Sequence, residues 1–309
     1  MDNSRRGLLT LIGAGTAAFL GPGCERRDEQ AAGPRYVQAP PSAPNAALRF
    51  AIHPLHNPLY LAEVYQPLID HLNRLAGEVR FELEASTDYA QFEAKLRARA
   101  VSVALPNPWQ ALLAMRAGYR VIAMAGDADD FRGLFIVRRD SPLRDPVELR
   151  GRAVAYPSPT AVAACLMPQW FLHQAGVDVV REIDNRYVVS QESSILSAHR
   201  GDVAAAATWP PPWRAFQRTH AREAAELRVA WQTPPLVNNA VVVRDDVPPA
   251  LAEWLRSTLL ELGASDSGRQ LLARMETAAF HVADDRSYEP VREFVARFER
   301  EVRPVTAVR

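Results

Sequence analysis

The sequence is poor in residues that several chemistries require. Two cysteines in 309 residues, Cys24 and Cys165, exclude a disulfide framework and a cysteine-rich zinc site. Lys95 is the one lysine, so neither a phosphate-loop lysine nor a Schiff-base lysine is expected. The 15 glycines form no Gly-rich phosphate loop, and no Gly-x-Ser-x-Gly elbow or His-Glu-x-x-His helix occurs. Net charge is lacking too. Lys+Arg and Asp+Glu are both 36, which argues against a nucleic-acid binder that relies on a general positive field. A local anion pocket stays open, because net charge says nothing about one site. No cofactor, metal site or catalytic activity is expected from this inventory.

What is present suits a soluble globular protein. The chain is 48% hydrophobic and 23% charged, enough to bury a real core in one large or two ordinary domains. Residues 1–24 read as an export signal. Ser4-Arg5-Arg6-Gly7-Leu8-Leu9 follows a twin-arginine pattern, and the apolar run Leu8 to Leu20 is too short to span a bilayer. The run ends in Leu20-Gly21-Pro22-Gly23-Cys24, a lipobox-like stretch that makes Cys24 the expected lipidation site, although Gly21 stands where a lipobox prefers Leu. Residues 25–47, rich in charge, Ala and Pro, show no helix or strand period and read as a flexible tether. The expected location is periplasmic, at a membrane surface, as a monomer.

From Leu48 onward strands and helices alternate, the rhythm of an α/β fold with mostly parallel sheets. Strands are expected at Leu48–Ile52, Val79–Ala85, Val101–Leu105 and Arg120–Ala125, with helices over 60–75, 89–98 and 109–117 between them. A second set has strands at Arg152–Tyr156, Arg186–Val189, Val203–Thr208 and Leu227–Gln232, with helices over 160–175 and 193–199. Gly133–Arg139 and Asn239–Arg244 read as strands crossing between two lobes. Three amphipathic helices close the chain, near 248–262, 266–276 and 287–302. Lobe one then comprises 48–137 and 240–309, and lobe two 138–239. Ligands in such folds sit beyond the carboxyl ends of the strands, here between the lobes.

The strand-end loops carry the candidate chemistry. His53-Pro54-Leu55-His56-Asn57-Pro58 offers His53 to a ligand, a metal pair lacking a third ligand, or a rigid turn. Ser86-Thr87-Asp88-Tyr89 caps a helix, and Tyr89 either points its hydroxyl into the cleft or packs in the core. Leu105-Pro106-Asn107-Pro108-Trp109 leaves Asn107 and Trp109 as the side chains available, unless Trp109 only packs. In Tyr156-Pro157-Ser158-Pro159-Thr160, Ser158 is a fitting N-cap and Pro159 a fitting first helical residue. A helix N-terminus with free amides and hydroxyls binds an anion without Lys or Arg, so Ser158 and Thr160 are the centre of the expected site. Gln191 opens another helix. Trp209-Pro210-Pro211-Pro212-Trp213 forms a stiff aromatic wall, with Trp209 facing a ligand or the outside of lobe two.

In this order the loops resemble those of the phosphonate/phosphite/phosphate-binding proteins of ABC importers. The resemblance covers about residues 48–300. It rests on Tyr65-Gln66-Pro67-Leu68, Thr87-Asp88-Tyr89, Val103–Trp109, Arg138-Arg139-Asp140-Ser141, Leu149-Arg150-Gly151-Arg152 and Gly201-Asp202-Val203-Ala204-Ala205-Ala206. It implies a two-lobed type II periplasmic binding protein with a ligand cleft between the lobes. It also implies capture of a small oxyanion for an ABC permease, with Tyr89, Trp109, the Ser158/Thr160 loop and Gln191 facing the ligand. The chain departs from the family where Pro159 removes a donor and Ala161 a hydroxyl, where Gln191 replaces a frequent His, and where an acid near Trp209-Pro210-Pro211 is missing. A small or weakly charged ligand, or one with an apolar part, fits that set better than an aminoalkylphosphonate. The same family includes sensors that partner a membrane histidine kinase, some of which read arsenite through a Cys. Cys165 would be that residue here, although its place inside an apolar helix suits a buried, inert thiol. A periplasmic enzyme is the third alternative.

Overall fold

The computed structural model describes residues 47–306. The export signal, Cys24 and nearly all of the tether lie outside the described residues. Among the described residues no helix is long and apolar enough to cross a membrane.

The first half builds one sheet. Strand β1 (Leu48–Ile52) is followed by α1 (Pro58–Leu75), β2 (Phe81–Glu84), α2 (Tyr89–Arg97), β3 (Val103–Leu105), α3 (Pro108–Arg116) and β4 (Tyr119–Ala125). Helix α1 starts where the Asn57 side chain accepts from the Tyr60 amide and Pro58 occupies the first turn. It buries Leu61, Val64, Tyr65, Leu68, Ile69 and Leu72 on one stripe, with Pro67 in its interior.

The chain then crosses over. Strands β5 (Leu134–Arg138), β6 (Arg152–Tyr156), β7 (Ile183–Tyr187), β8 (Ala205–Thr208) and β9 (Leu227–Gln232) form a second sheet, in the order β7-β6-β8-β5-β9. Helices α4 (Met167–Gln174), α5 (Gln191–Arg200), α6 (Pro210–Thr219) and α7 (Ala221–Ala225) connect them. Strand β10 (Asn239–Arg244) returns to the first sheet, which is completed by α8 (Pro249–Leu260), α9 (Asp266–Arg274), β11 (Phe280–His281) and α10 (Glu289–Glu301). Its order is β11-β4-β10-β3-β1-β2.

Both sheets are mixed rather than mostly parallel. In the first, β10 runs antiparallel to both β3 and β4, and β11 antiparallel to β4. In the second, β5 runs antiparallel to β8 and β9. The reversed inner strands, β5 and β10, are the ones that follow the two crossings. A strand entering a sheet straight from the other lobe, with no helix to carry it back to the starting edge, comes in reversed. Strand β5 lies in the second sheet, so the first changeover falls within 126–133 rather than at 137–138. The second falls within 233–238.

Two further differences concern local structure. The helix expected over 160–175 is interrupted. A π-helical turn at Val162–Leu166, in which the Leu166 N–H donates to the Ala161 carbonyl five residues back at 3.0 Å, precedes α4. Pro168 explains the break: it has no N–H for the Ala164 carbonyl, so a regular helix cannot run through that turn. The Trp209–Trp213 stretch is the start of α6, with Pro210 to Pro212 in its first turn, where missing amides cost nothing.

Candidate functional site

The eight residues singled out from the sequence, His53, Tyr89, Asn107, Trp109, Ser158, Thr160, Gln191 and Trp209, are all buried. Five of them meet directly where the two sheets face each other. Gln191 Nε2 donates to the Tyr89 hydroxyl at 3.3 Å, and Asn107 Nδ2 donates to the Thr160 carbonyl at 3.2 Å. Ser158 Oγ lies 3.0 Å from Thr160 Oγ1. Tyr89 and Asn107 come from the first sheet's loops; Ser158, Thr160 and Gln191 come from the second's.

Each is placed by its local sequence. Asn107 forms a capping box with Gln110, accepting from the Gln110 amide at 3.0 Å while Gln110 Oε1 accepts from the Asn107 amide at 3.2 Å. Tyr89 opens α2 behind the Asp88 cap. Gln191 opens α5 behind the Ser190 cap, and Thr208 Oγ1 donates to its Oε1 at 2.9 Å. Just before it Val189 has φ +73°, a left-handed conformation that strains a β-branched residue, in a tight turn closed by the Ser190 amide on the Val188 carbonyl at 2.9 Å. That turn aims Gln191 back at Tyr89.

The Ser158 loop differs from its expected form. Ser158 is not the N-cap of a helix. Its Oγ accepts from the Thr160 amide, two residues on, at 3.3 Å, and no side chain caps the π turn that begins after Ala161. A helix N-terminus is therefore not what the loop presents; it presents two hydroxyls. Behind it stands Arg303, whose Nη2 donates to the Pro159 carbonyl at 2.9 Å and whose Nε donates to Gln169 Oε1 at 2.9 Å. The same guanidinium reaches Cys165 Sγ at 3.4 Å. Burial pushes the Cys165 thiol up to about 11, against the Arg303 charge, so the thiol stays protonated and unreactive.

His53, Trp109 and Trp209 are placed differently. His53 donates both its amide, at 3.1 Å, and its Nδ1–H, at 3.0 Å, to the Leu105 carbonyl. A carbonyl only accepts, so Nδ1 carries the proton. Burial lowers the His53 pKa to about 4, and the ring is neutral at physiological pH. Trp109 packs in the main hydrophobic core, and Trp209 meets Phe131 edge-on at 5.4 Å between centroids.

Glu93 is the residue that sequence reasoning missed. It has no solvent exposure, and its Oε1 accepts from the Thr160 hydroxyl at 2.6 Å and from Gln110 Nε2 at 3.4 Å. Burial raises its carboxyl above the usual range, opposed by these bonds and by Arg97. The signal was available: Tyr89, Phe92 and Leu96 mark the buried stripe of α2, and Glu93 falls on it.

The arrangement is one of neutral hydrogen-bonding groups around one buried carboxyl. The Tyr89 phenol, held protonated by burial, accepts from Gln191 and keeps its own proton to donate. A cavity of about 240 Å³ reaches Tyr89 and Ser158 past Pro157, Pro159, Tyr187 and Val189. Such a set can grip a small polar ligand through neutral donors.

Known proteins share this architecture. Residues 50–288 match the family model for the ABC-transporter phosphonate periplasmic substrate-binding protein. A probable ABC transporter phosphite-binding protein, PhnD1 of Prochlorococcus marinus, is 23% identical over 186 residues, 56% of this chain. The aligned stretch spans only 63% of that relative's own length. Its structure, in complex with methylphosphonate, superposes with a TM-score of 0.76 at 19% identity, covering 82% of this chain and 98% of that one. A binding-protein component of an ABC phosphonate transporter from Pseudomonas aeruginosa superposes with a TM-score of 0.76 at 20% identity, covering 83% and 88%. At these identities the superpositions establish the two-lobed periplasmic binding-protein fold. The family model spans most of the chain, and with the fold it leads to one assignment: the chain belongs to the phosphonate periplasmic substrate-binding protein family of ABC transporters, a family of binding proteins rather than enzymes.

Proposed function

We propose that this protein captures a small oxyanion of the phosphonate or phosphite class between its lobes and delivers it to an ABC permease. The observation that carries the proposal is the meeting of Tyr89 and Asn107 from one sheet with Ser158, Thr160 and Gln191 from the other. A ligand gripped by both sets of hydroxyls and amides ties the lobes together, and its binding energy drives closure. The absence of any Lys or Arg among these five residues favours a ligand of low charge, held by neutral donors. The family's known relative bound to methylphosphonate supports the ligand class, and its name supports phosphite.

The remaining parts of the proposal concern the setting. Cys24 carries a lipid that holds the monomer at the membrane, and the charged, proline-rich tether lets the body reach the permease. Calorimetric titration of the purified protein with methylphosphonate, phosphite, phosphate and methanesulfonate tests the ligand class. Saturable binding of at least one phosphorus oxyanion is expected. Tyr89→Phe should weaken it by roughly 1–3 kcal/mol, the cost of withdrawing one donor from a buried polar group. Absence of binding across the panel, or full affinity in Tyr89→Phe, would sink the proposed site.

A further inference from the structure

Both hydroxyls that the proposed site offers to an oxyanion are already engaged. Thr160 Oγ1 is 2.6 Å from Glu93 Oε1 and donates its only proton there, because an ionised carboxylate has none to give. Ser158 Oγ stands 3.0 Å from Thr160 Oγ1 and accepts from the Thr160 amide. With Glu93 ionised, the Thr160 proton is committed and the 3.0 Å contact is made by the Ser158 proton, so an incoming oxyanion must draw that proton away from Thr160 Oγ1, with a buried negative charge behind the pair. Protonation of Glu93 changes both conditions. The carboxylic acid donates to Thr160 Oγ1, the Thr160 proton is released toward the ligand, and the like charge disappears.

The surroundings of Glu93 leave its charge poorly compensated. On its own helix stand Arg97, half-exposed with Nη2 at 3.5 Å from Oε2, and the Tyr89 phenol, which burial keeps protonated. From α3 it meets the neutral amide of Gln110 at 3.4 Å. From the second lobe it meets only the Thr160 hydroxyl, itself paired with Ser158. The nearest other cation is the part-buried Arg303 behind the Ser158 loop, and its guanidinium is spent on the Pro159 carbonyl and Gln169 Oε1 rather than on these hydroxyls.

We infer that Glu93 makes oxyanion capture proton-linked: ligand and Glu93 together hold one proton in the bound state, and a bare dianion against an ionised Glu93 is excluded. The inference rests on the oxyanion function proposed above. The proton comes from solvent and returns to it on release, and no bond other than hydrogen bonds changes. The pair then titrates as a unit, with its proton shared according to the geometry of the bound state.

Titration calorimetry with methylphosphonate at pH 6 and pH 8, the latter in buffers of differing ionisation enthalpy, reads the proton directly. The wild-type protein should take up about one proton per ligand at pH 8 and bind about tenfold more weakly there than at pH 6. Glu93→Gln keeps an acceptor for Thr160 without the charge; it should take up little and lose less than about threefold in affinity between the two pH values. Tight wild-type binding at pH 8 with no proton uptake would overturn the inference, as would unchanged uptake in Glu93→Gln. If that variant fails to fold, Glu93→Met, uncharged and of similar length, takes its place, because the ligand's own second ionisation also contributes protons; His53 and His56, lowered to about 4 and about 3, stay neutral across this range. Absence of methylphosphonate binding at both pH values by a folded protein would instead refute the oxyanion function itself, and this inference with it.

Discussion

Two loops of this protein share one grammar and fold differently. Leu105-Pro106-Asn107-Pro108-Trp109 in the first lobe and Tyr156-Pro157-Ser158-Pro159-Thr160 in the second both place Pro, a capping residue and Pro between a strand and a helix. Asn107 does what that grammar predicts: it caps α3 in a reciprocal capping box. Ser158 does not. Its hydroxyl turns to the Thr160 amide two residues away, and the following segment opens into a π turn. The first loop makes its cap within its own helix and adds one bond across the lobes, from Asn107 to the Thr160 carbonyl. The second finds them across the lobes, in Glu93 and Asn107. A capping sequence is therefore a local offer, and tertiary partners decide whether it is taken up.

The braces behind the two loops also respond oppositely to pH. His53 holds the Leu105 carbonyl at the base of the first loop, and its folded-state pKa is lowered from 6.5 to about 4. For a group with a depressed folded pKa, the stabilisation is present above the unfolded value and lost as pH falls through the window between them. A shift of this size corresponds to about 3 kcal/mol lost between roughly pH 6.5 and pH 4. Denaturant unfolding at pH 7 and pH 4 should show that loss, and His53→Gln should remove His53's share of it, leaving the part due to His56. A stability that is flat over this range would mean that His53 is not the brace. Glu93, behind the second loop, has the opposite sign. Its raised pKa makes its contribution present at low pH and lost as pH rises through the folded-state value, so Glu93→Gln should remove that loss.

A stronger separation of the loops comes from removing each cap in turn. Asn107→Ala deletes a true N-cap, worth about 1 kcal/mol, and a bond to the Thr160 carbonyl across the lobes, worth about another 1. A total near 2 kcal/mol is expected in chemical denaturation. A loss below about 0.5 kcal/mol would place Asn107 with Ser158 and erase the distinction between the loops.

What could be read in advance follows the same division. The first loop, α1 with its Asn57 cap, and the three closing helices α8, α9 and α10 depend on residues within one or two turns, and the sequence carries them. The mixed sheets were not legible, because the direction of β5 and β10 depends on where the chain crosses between lobes. The interrupted helix after Ser158 was legible in part: Pro168 breaks the period, yet the π turn upstream depends on what Thr160 meets in the other lobe. Trp109 and Trp209 look alike as candidate contacts on paper, and both pack in the main hydrophobic core. Glu93 was visible as a charge on an apolar stripe, but its partner lies 67 residues away in sequence.

The smallest expected effect on stability is the most informative about the second loop. Ser158→Ala removes a hydroxyl whose one backbone contact is a long bond of 3.3 Å to the Thr160 amide, not a helix cap. The Thr160 hydroxyl keeps its bond to Glu93, so no buried group is newly stranded apart from that amide. The loss in stability should be about 0.5 kcal/mol, below the roughly 1 kcal/mol of a lost N-cap. If the hydroxyl is there for a ligand, oxyanion affinity should fall by several-fold while the melting curve barely moves. A stability loss as large as that of Asn107→Ala would instead make Ser158 a structural residue. The two loops would then differ in form but not in purpose.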